Sequence, residues 1–418
     1  MNLVEQHIIN NNKKNKVMFS EIDSLSFNSK NLYNIANYIV RQEFITNKKY
    51  LNYYDVYALL KDGVDYKSLP TKISQEVLRQ VDTVWKSFFK SIKSWKINKS
   101  KYNGMPLLPK YKHKKTGRNI LVYNKQAIGV GYYKKYGVLK LSKSDILVKT
   151  KINIDDIIQV RLIPRLGNYV IEVVYNKEVN NVKLNQDNIM GIDLGVNNLC
   201  AITTTNNNNC LINGRPLKSI NQYYNKKISK MKSILDKVNN KKTSKQIQKV
   251  TNKRNNKIKN YLHKTSKYII DYCLTNDIGK VVIGKNIDWK QNINIGKKNN
   301  QSFVNIPFDK LIKQITYKGE LNNIEVLLTE ESYTSKCSFI DNEDIKKSNN
   351  YLGKRVKRGL FKSSDNYTIN ADINGSYNII RKVFSNFTVS KNEIEGIVVS
   401  PKLISLWFMS LKRESIFI

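Results

Sequence analysis

The chain has 418 residues, 40% of them hydrophobic, which is enough for about two to four structural units with ordinary apolar cores. With 72 Lys and Arg against 33 Asp and Glu, the formal net charge is +39, far above what solubility requires, so the composition predicts a polyanionic partner. No apolar run approaches the roughly 20 residues that cross a bilayer, and the basic residues are spread along the whole chain. These features argue against a membrane partner and favour nucleic acid, in the cytoplasm and at a prokaryotic nucleoid.

Four cysteines are scattered along the chain without a C-x-x-C pair. This pattern predicts neither a disulfide framework nor a structural zinc site. We therefore expect reduced, structural thiols at Cys200, Cys210, Cys273 and Cys337.

The first 185 residues combine a helical and a β texture. A helical pattern covers 29–108, where "SQEVLRQVDTVWKSFFKSIKSW" spaces apolar residues by three and four. Short alternating runs bounded by Gly, Pro and Asn predict a small β domain over 109–185. The segment 1–28, with "KVMFSEI" as a strand, is expected to supply the first part of that domain, so that the helical module is inserted into it. The apolar stripe predicted for the module consists of Val77, Val81, Val84 and Phe88.

A further unit over 186–336 opens with three predicted strands, "IMGIDLGV", "NLCAITTT" and "NCLING". A lysine-rich segment of helical period then predicts an inserted helical hairpin over 216–278. The strand "KVVIGK", a helix from about Phe308 to Leu321 and the strand "IEVLLTEE" follow. Three antiparallel strands followed by alternating helices and strands predict an α/β, ribonuclease-H-like plan. The remaining segments are a basic loop over 337–369, a helix over 370–386 and a tail over 387–418.

Asp193 interrupts the apolar strand "IMGIDLGV", where a carboxylate is costly unless it is paired, hydrogen-bonded or bound to a cation. A two-metal phosphodiesterase site brings carboxylates from distant segments to one sheet edge, and Mg²⁺ suits such oxygen ligands. Asp372, early in the last predicted helix, is a second candidate. The alternative for Asp372 is that it only caps that helix.

The chain resembles the TnpB (OrfB) family of transposon-encoded RNA-guided DNA endonucleases, which is related to type V CRISPR effectors and Fanzor proteins. The resemblance rests on the helical stretch quoted above followed by "PLLPKYKHK", on "GIDLGVNNLCAIT" and "NADINGSYNIIRKV" for the first and last RuvC motifs, and on "SYTSKCSFI" at the zinc ribbon. It implies an α/β multidomain protein: a RuvC nuclease domain with an inserted helical hairpin, and a β-barrel wedge domain carrying an inserted helical recognition module. The implied partners are a guide RNA and double-stranded target DNA with a short flanking motif. The implied cofactors are two Mg²⁺ ions, which Mn²⁺ could replace.

The middle catalytic glutamate of the family is missing from the end of the strand "KVVIGK", where this chain has Gly284. The neighbouring strand supplies Glu330 and Glu331, and Glu331 stands in an E-x-x-T-S arrangement that resembles relatives in which the glutamate has moved. We therefore expect Asp193, Glu331 and Asp372 to be the catalytic metal ligands, with Glu330 as the alternative to Glu331, because strand alternation points only one of them at the metals. The opposing interpretation is that both are solvated loop acids and the nuclease is inactive.

The zinc ribbon of the family uses two cysteine pairs, whereas this chain retains only Cys337, so no zinc is expected. The degenerate ribbon is nevertheless rich in cations. Its basic residues are candidates for nucleic-acid binding, although a merely solvated loop would look the same. These candidates are Lys354, Arg355, Lys357 and Arg358.

The resemblance and the motifs together predict an RNA-guided DNA endonuclease that hydrolyses phosphodiesters with two metal ions. A nuclease-inactive, RNA-guided DNA-binding repressor from the same family is the alternative, and Gly284 is the feature that favours it. A transposase or integrase that performs strand transfer on the same fold is a third hypothesis. RNA-dependent cleavage would separate the first hypothesis from the third.

Overall fold

The computed structural model describes residues 1–239, 243–286, 296–389 and 401–406. They form two compact units, one ending at Lys177 and one beginning at Glu178. No helix within these ranges is both long and apolar enough to cross a membrane. Most of the predicted tail over 387–418 lies outside the described residues.

The N-terminal unit contains an antiparallel sheet of strand order β1-β6-β5-β2 and a separate hairpin of β3 and β4. The sequence predicted a small β domain here, and the family resemblance implied a β barrel; the described strands form a four-stranded sheet and a hairpin. The strands are β1 (Asn2–Ile9), β2 (Leu121–Asn124), β3 (Val138–Lys140), β4 (Leu147–Lys149), β5 (Ile157–Arg165) and β6 (Asn168–Asn176).

Five helices complete this unit, and the two long ones, α1 and α4, pack against each other. Their core contains Trp85, which is fully buried and donates from Nε1 to Asn37 Oδ1 at 2.9 Å. Val77 and Val81 are buried as predicted, but Val84 is 37% exposed, because the next residue, Trp85, takes the core position. The helices are α1 (Lys16–Asn47), α2 (Tyr53–Leu60), α3 (Val64–Lys67), α4 (Thr71–Ile97) and α5 (Val130–Tyr136).

The prediction that "KVMFSEI" forms a strand was wrong, since these residues open helix α1. The strand of this region is β1, which lies earlier and pairs with β6 along its whole length, from Asn2 opposite Asn176 to Ile9 opposite Tyr169. From Ile22 onward the buried positions of α1 recur at helical spacing, which suits a helix that packs on one side only.

The C-terminal unit contains a six-stranded sheet of order β11-β10-β7-β8-β9-β15. Strands β7, β10 and β11 are parallel, while β8 runs antiparallel to both of its neighbours, β7 and β9. The predicted three-strand opening and the two later strands are thereby confirmed. The six strands are β7 (Ile189–Leu194), β8 (Asn198–Thr204), β9 (Cys210–Asn213), β10 (Lys280–Gly284), β11 (Glu325–Thr329) and β15 (Lys402–Ile404).

Helices cover both faces of this sheet. Helices α7 and α9 contribute to the larger apolar cluster on one face, together with Met190 and Ile192 of β7. On the other face α10 packs its Ile379 and Ile380 against Ile189 of β7. The predicted helical hairpin and the two later helices are confirmed. The helices are α6 (Arg215–Asn239), α7 (Lys245–Thr275), α8 (Lys297–Val304), α9 (Phe308–Glu320) and α10 (Ala371–Val383).

The basic segment over 337–369, predicted as a loop, contains a three-stranded antiparallel sheet. Its outer strand β12 is exposed along its length, whereas Phe361 and Ile369 of the next two strands are buried against Phe339 and Tyr377. The strands were missed because they are two to four residues long and contain few apolar side chains. They are β12 (Lys354–Lys357), β13 (Leu360–Lys362) and β14 (Thr368–Ile369).

Candidate active site

Asp193 lies near the carboxyl end of the central strand β7, on the face that helix α10 covers. Side chains alternate along a strand, so Asp193 points the same way as Ile189, which packs against α10. Its partner in the antiparallel register is Ala201 of β8, which also belongs to the apolar cluster beneath α10. The strand therefore directs this carboxylate into the space between the sheet and α10.

Asp372 is the second residue of α10 and reaches the same space. The helix is capped by Asn370, whose Oδ1 accepts from the backbone N–H groups of Asp372 and Ile373 at 3.0 and 3.3 Å. The predicted alternative, that Asp372 is only a helix cap, is thus wrong. Gly375 permits the close approach of helix and strand, because a Cβ there would lie 3.0 Å from Asp193 Oδ2.

Glu331 lies two residues beyond the end of β11, next to the end of β10. Strand β10 ends at Gly284, the position where the family glutamate is absent. A Cβ at Gly284 would lie 3.1 Å from Glu331 Oε2 and 2.6 Å from Ile379 Cδ1. The Glu331 carboxylate therefore occupies space that a side chain at position 284 would need.

The adjacent glutamates, Glu331 and Glu330, are held by different residues. Asn286 donates from Nδ2 to Glu331 Oε1 at 3.2 Å and accepts from the Glu331 backbone N–H at 2.9 Å. Glu330 is exposed, bonds the hydroxyl of Ser332, and pairs with Lys382 Nζ at 3.2 Å. The Glu331 carboxylate lies near enough to Asp193 for its charge to act on that group, whereas Glu330 lies at the surface. Asn286 was missed by sequence reasoning, because a lone Asn after a strand carries no pattern.

Asp372 is held from two sides. Asn198, the first residue of β8, donates from Nδ2 to Oδ2 at 2.7 Å. Arg355 of β12 donates from Nη2 to Oδ1 at 3.2 Å. The carboxylate is thereby oriented and partly neutralised by the basic strand of the degenerate ribbon.

A cavity of about 400 Å³ opens beside the two aspartates, Asp193 and Asp372. Arg355 and Arg358 line it from the ribbon, and Arg215 lines it from the start of α6. Of the four predicted nucleic-acid-binding residues, these two arginines thus lie at the site, whereas Lys354 and Lys357 are exposed on or at the end of β12 and do not line it. Arg215 was not predicted, since it is one cation among many. The amide of Asn197 faces Arg358, with Nε 3.1 Å from the amide oxygen in the orientation that pairs donor with acceptor.

The ionised forms of Asp193 and Glu331 are disfavoured in this arrangement. Burial, and then the negative charges of Glu331 and Asp372, raise the pKa of Asp193 well above its ordinary value, while Arg355 acts in the opposite direction. Burial and the neighbouring Glu330 raise the pKa of Glu331 to about 7. Desolvation and like-charge repulsion of this kind are relieved by a bound cation.

The donor set fits hard cations. Glu331 Oε2 is buried, and no group among the described residues donates to it. Within the described ranges, no group of three or more His, Cys, Asp and Glu side chains is gathered so that it could hold a metal ion. Mg²⁺ commonly takes one or two carboxylates together with water and phosphate oxygens, so carboxylates of this kind suit it without a cluster of three.

Side-chain hydrogen bonds stabilise the degenerate ribbon over 337–369. Cys337 is buried, its thiol donates to the Asp344 carbonyl at 3.3 Å, and burial raises its pKa. Glu343 accepts from the backbone N–H of Ser338 at 2.7 Å and from that of Leu352 at 3.1 Å. Carboxylate-to-backbone bonds thus tie together the chain segments around Ser338 and Leu352.

Two protein-family models match parts of this chain. Residues 172–290 match the family model OrfB_IS605, described as "Probable transposase". Residues 308–379 match the model of the Cas12f1-like TNB domain. No curated protein matches the chain.

Among solved structures, the chain is similar to the Cas12f1–sgRNA–target DNA complex, with 18% identity over 87% of this chain and 82% of that one, and a TM-score of 0.52. It also matches the mini RNA-guided endonuclease CRISPR-Cas_phi3, with 10% identity over 93% of both chains and a TM-score of 0.47. The first of these similarities concerns the fold. With the two family models, it confirms the predicted resemblance to TnpB and the type V effectors.

Proposed function

We propose that this TnpB-like protein, which is related to the type V effectors, is an RNA-guided DNA endonuclease that hydrolyses phosphodiesters with two bound metal ions. One observation carries the proposal. The carboxylate of Glu331 fills space that a side chain at Gly284 would need, and its negative charge acts on Asp193. The missing glutamate is thus compensated from the adjacent strand, and a third carboxylate is available beside the two aspartates.

In this proposal Asp193, Glu331 and Asp372 hold the metal ions. When bound, two Mg²⁺ ions would activate water and stabilise the leaving oxygen of a phosphodiester. Asn198 and Asn286 orient Asp372 and Glu331 through their amide groups, which limits the reorganisation needed at the site.

The arginines would bind the substrate backbone. Arg215 and Arg358 line the cavity beside the carboxylates, where guanidinium groups can donate two parallel hydrogen bonds to a phosphate. Arg355 would exchange its Asp372 contact for a phosphate oxygen when DNA enters, because DNA brings a competing negative charge.

The proposed partners are a guide RNA and double-stranded DNA with a short flanking motif. The net charge of +39 supports polyanion binding over a large surface, and the solved Cas12f1 structure is a complex with sgRNA and target DNA. Base pairing would supply the sequence readout while the protein binds the two backbones.

The test is to sequence the RNA that copurifies with the protein and to offer a matched plasmid library with Mg²⁺. We expect guide-dependent cutting that is abolished by Asp193→Ala, with RNA and DNA binding nearly unchanged, because the substitution removes a metal ligand and leaves the basic surface intact. Undiminished cutting by the variant would remove this site from the mechanism.

The repressor alternative makes a different prediction. A protein that binds guide-matched DNA but does not cut it in Mg²⁺ or Mn²⁺ would replace the nuclease proposal with it. A DNA strand-transfer product that needs no RNA would instead favour a transposase.

A further inference from the structure

A second and larger cavity, of about 750 Å³, lies between the helices of the inserted hairpin, α6 and α7. Its lining includes two adjacent tyrosines of α6, Tyr223 and Tyr224, and cations from both helices. None of the described residues that line it is acidic. The cations that line the cavity are Arg215, Lys227, Lys253, Arg254 and Lys257.

The inner aromatic ring is held in place by its neighbours. The Tyr224 hydroxyl bonds Thr251 Oγ1 at 3.0 Å, and the guanidinium of Arg254 lies 5.3 Å from its ring centroid. Arg254 is itself fixed by Asn221 Oδ1 at 2.8 Å and by the Asn305 carbonyl at 3.0 Å. The stacked pair of Tyr224 and Arg254 is therefore ordered before any ligand binds.

The outer ring is available for contact. Tyr223 is 66% exposed, and Lys227 Nζ lies 3.4 Å from its hydroxyl. Ile220, Pro216 and Val250 supply the apolar part of the lining. A ligand for this cavity needs a planar group that can stack on a tyrosine ring and an anionic group that attracts Lys and Arg. An unpaired nucleotide has both, since its base can stack and its phosphate is negatively charged.

The cavity and the candidate active site share one lining residue. Arg215 lines both cavities. Leu403 of β15 lines the carboxylate cavity, and Ser405, two residues later, lines the hairpin cavity. A polymer that passes Arg215 would therefore contact both.

We propose that the hairpin cavity binds an unpaired nucleotide of the DNA strand that the carboxylate site cuts, with its base stacked on Tyr223. The inference rests on the proposed function for the identity of the strand. A duplex would not suffice, because its bases are already stacked on each other. The cavity would thus hold the strand on one side of the phosphate that enters the site.

The test uses the full chain with Asp193→Asn, so that bound DNA is not cut, and single-stranded DNA in which 5-iodouracil replaces thymine. We expect photo-crosslinking to Tyr223, and fluorescence anisotropy should show about 5- to 150-fold weaker binding of the same DNA by Tyr223→Ala, as the loss of one base–aromatic stack implies. Tyr223→Phe, which retains the ring, should stay within about twofold. The matched control is Tyr54→Ala, which removes another tyrosine that is 76% exposed.

Three results would overturn the inference. They are unchanged affinity for Tyr223→Ala, an equal loss for Tyr54→Ala, and crosslinking by single-stranded RNA but not by DNA. The proposed function fails separately. Crosslinking to Tyr223 in a protein that never cuts matched DNA would refute the nuclease proposal and support the nucleotide site. Normal cutting of matched DNA without any effect of Tyr223→Ala on DNA binding would refute the nucleotide site and support the nuclease proposal.

Discussion

Replacing Gly284 by Ala tests whether Glu331 has taken over the position of the missing glutamate. The new Cβ would lie 2.6 Å from Ile379 Cδ1 and 3.1 Å from Glu331 Oε2, whereas ordinary contacts begin at 3.4 Å. The Glu331 carboxylate must then move by a few tenths of an ångström, and Ile379 must move further. We expect a loss of about 1–2 kcal/mol in the free energy of unfolding from overpacking, and about a 10- to 100-fold fall in the cleavage rate from the displaced ligand.

The two effects can be separated with a second substitution. Ile379→Val removes the Cδ1 atom nearest to the new methyl group, so Gly284→Ala/Ile379→Val should recover most of the stability but not the cleavage rate. Gly104→Ala is the control, since no atom lies within 4 Å of a Cβ at that position. The assays are single-turnover cutting of guide-matched DNA with Mg²⁺ and urea unfolding. Full cleavage by Gly284→Ala would refute the argument that Glu331 acts from this position.

Three further predictions concern single carboxylates and one buried histidine. Glu331→Gln should reduce metal-dependent cutting by orders of magnitude while Glu330→Gln changes it little, and the reverse ranking in the same assay would transfer the role to Glu330. Burial lowers the pKa of His263 from 6.5 to about 3, so the contribution of neutral His263 to the free energy of unfolding is fully present above pH 6.5. As the pH falls from 6.5 towards 3, this contribution decreases by about 1.4 kcal/mol per pH unit. The free energy of unfolding of His263→Gln, measured in urea, should lack this pH-dependent decrease. Glu343→Gln should lower the free energy of unfolding by about 2 kcal/mol, because it weakens the bonds to two backbone N–H groups. A zinc chelator should leave the free energy of unfolding unchanged. One tightly held zinc ion per chain, found by metal analysis, would contradict the expectation for the chelator.

The central strands and long helices of the C-terminal unit could be predicted from the sequence because each of them carries its own pattern. Strands β7 and β10 are short apolar runs, and α10 has apolar residues at helical spacing. The N-terminal strand β1 was misplaced because its pairing partner β6 lies more than 150 residues away and nothing local distinguishes it from "KVMFSEI". Strands β13 and β14 were missed because each depends on one buried residue, Phe361 or Ile369, that packs against Phe339 and Tyr377. Strand β12 was missed because it is exposed along its length.

The candidate site was predictable in its residue types but not in its contacts. Asp193 stands out because a carboxylate in an apolar strand requires a compensating partner. That Arg355 contacts Asp372 depends on how the ribbon folds back on α10, which no local spacing records. Arg215 is likewise distinguished from the other cations only by its position between two cavities.

The proposed role of Glu331 as replacement for the missing glutamate depends on the register of a parallel sheet. Gly284 is paired with Thr329 in the β10–β11 register, so the residues that follow Thr329 leave the sheet beside the end of β10. Alternation directs Leu327 and Thr329, the last residue of β11, to the α10 face, and Glu331 lies two residues beyond Thr329. A glycine on β10 and a glutamate beyond β11 can therefore present a carboxylate to Asp193 much as a single glutamate on β10 would. The two glutamates are distinguished by their contacts, Glu331 with Asn286 and Glu330 with Lys382, and these contacts are not recorded in the sequence, which is why the sequence alone left both of them as candidates.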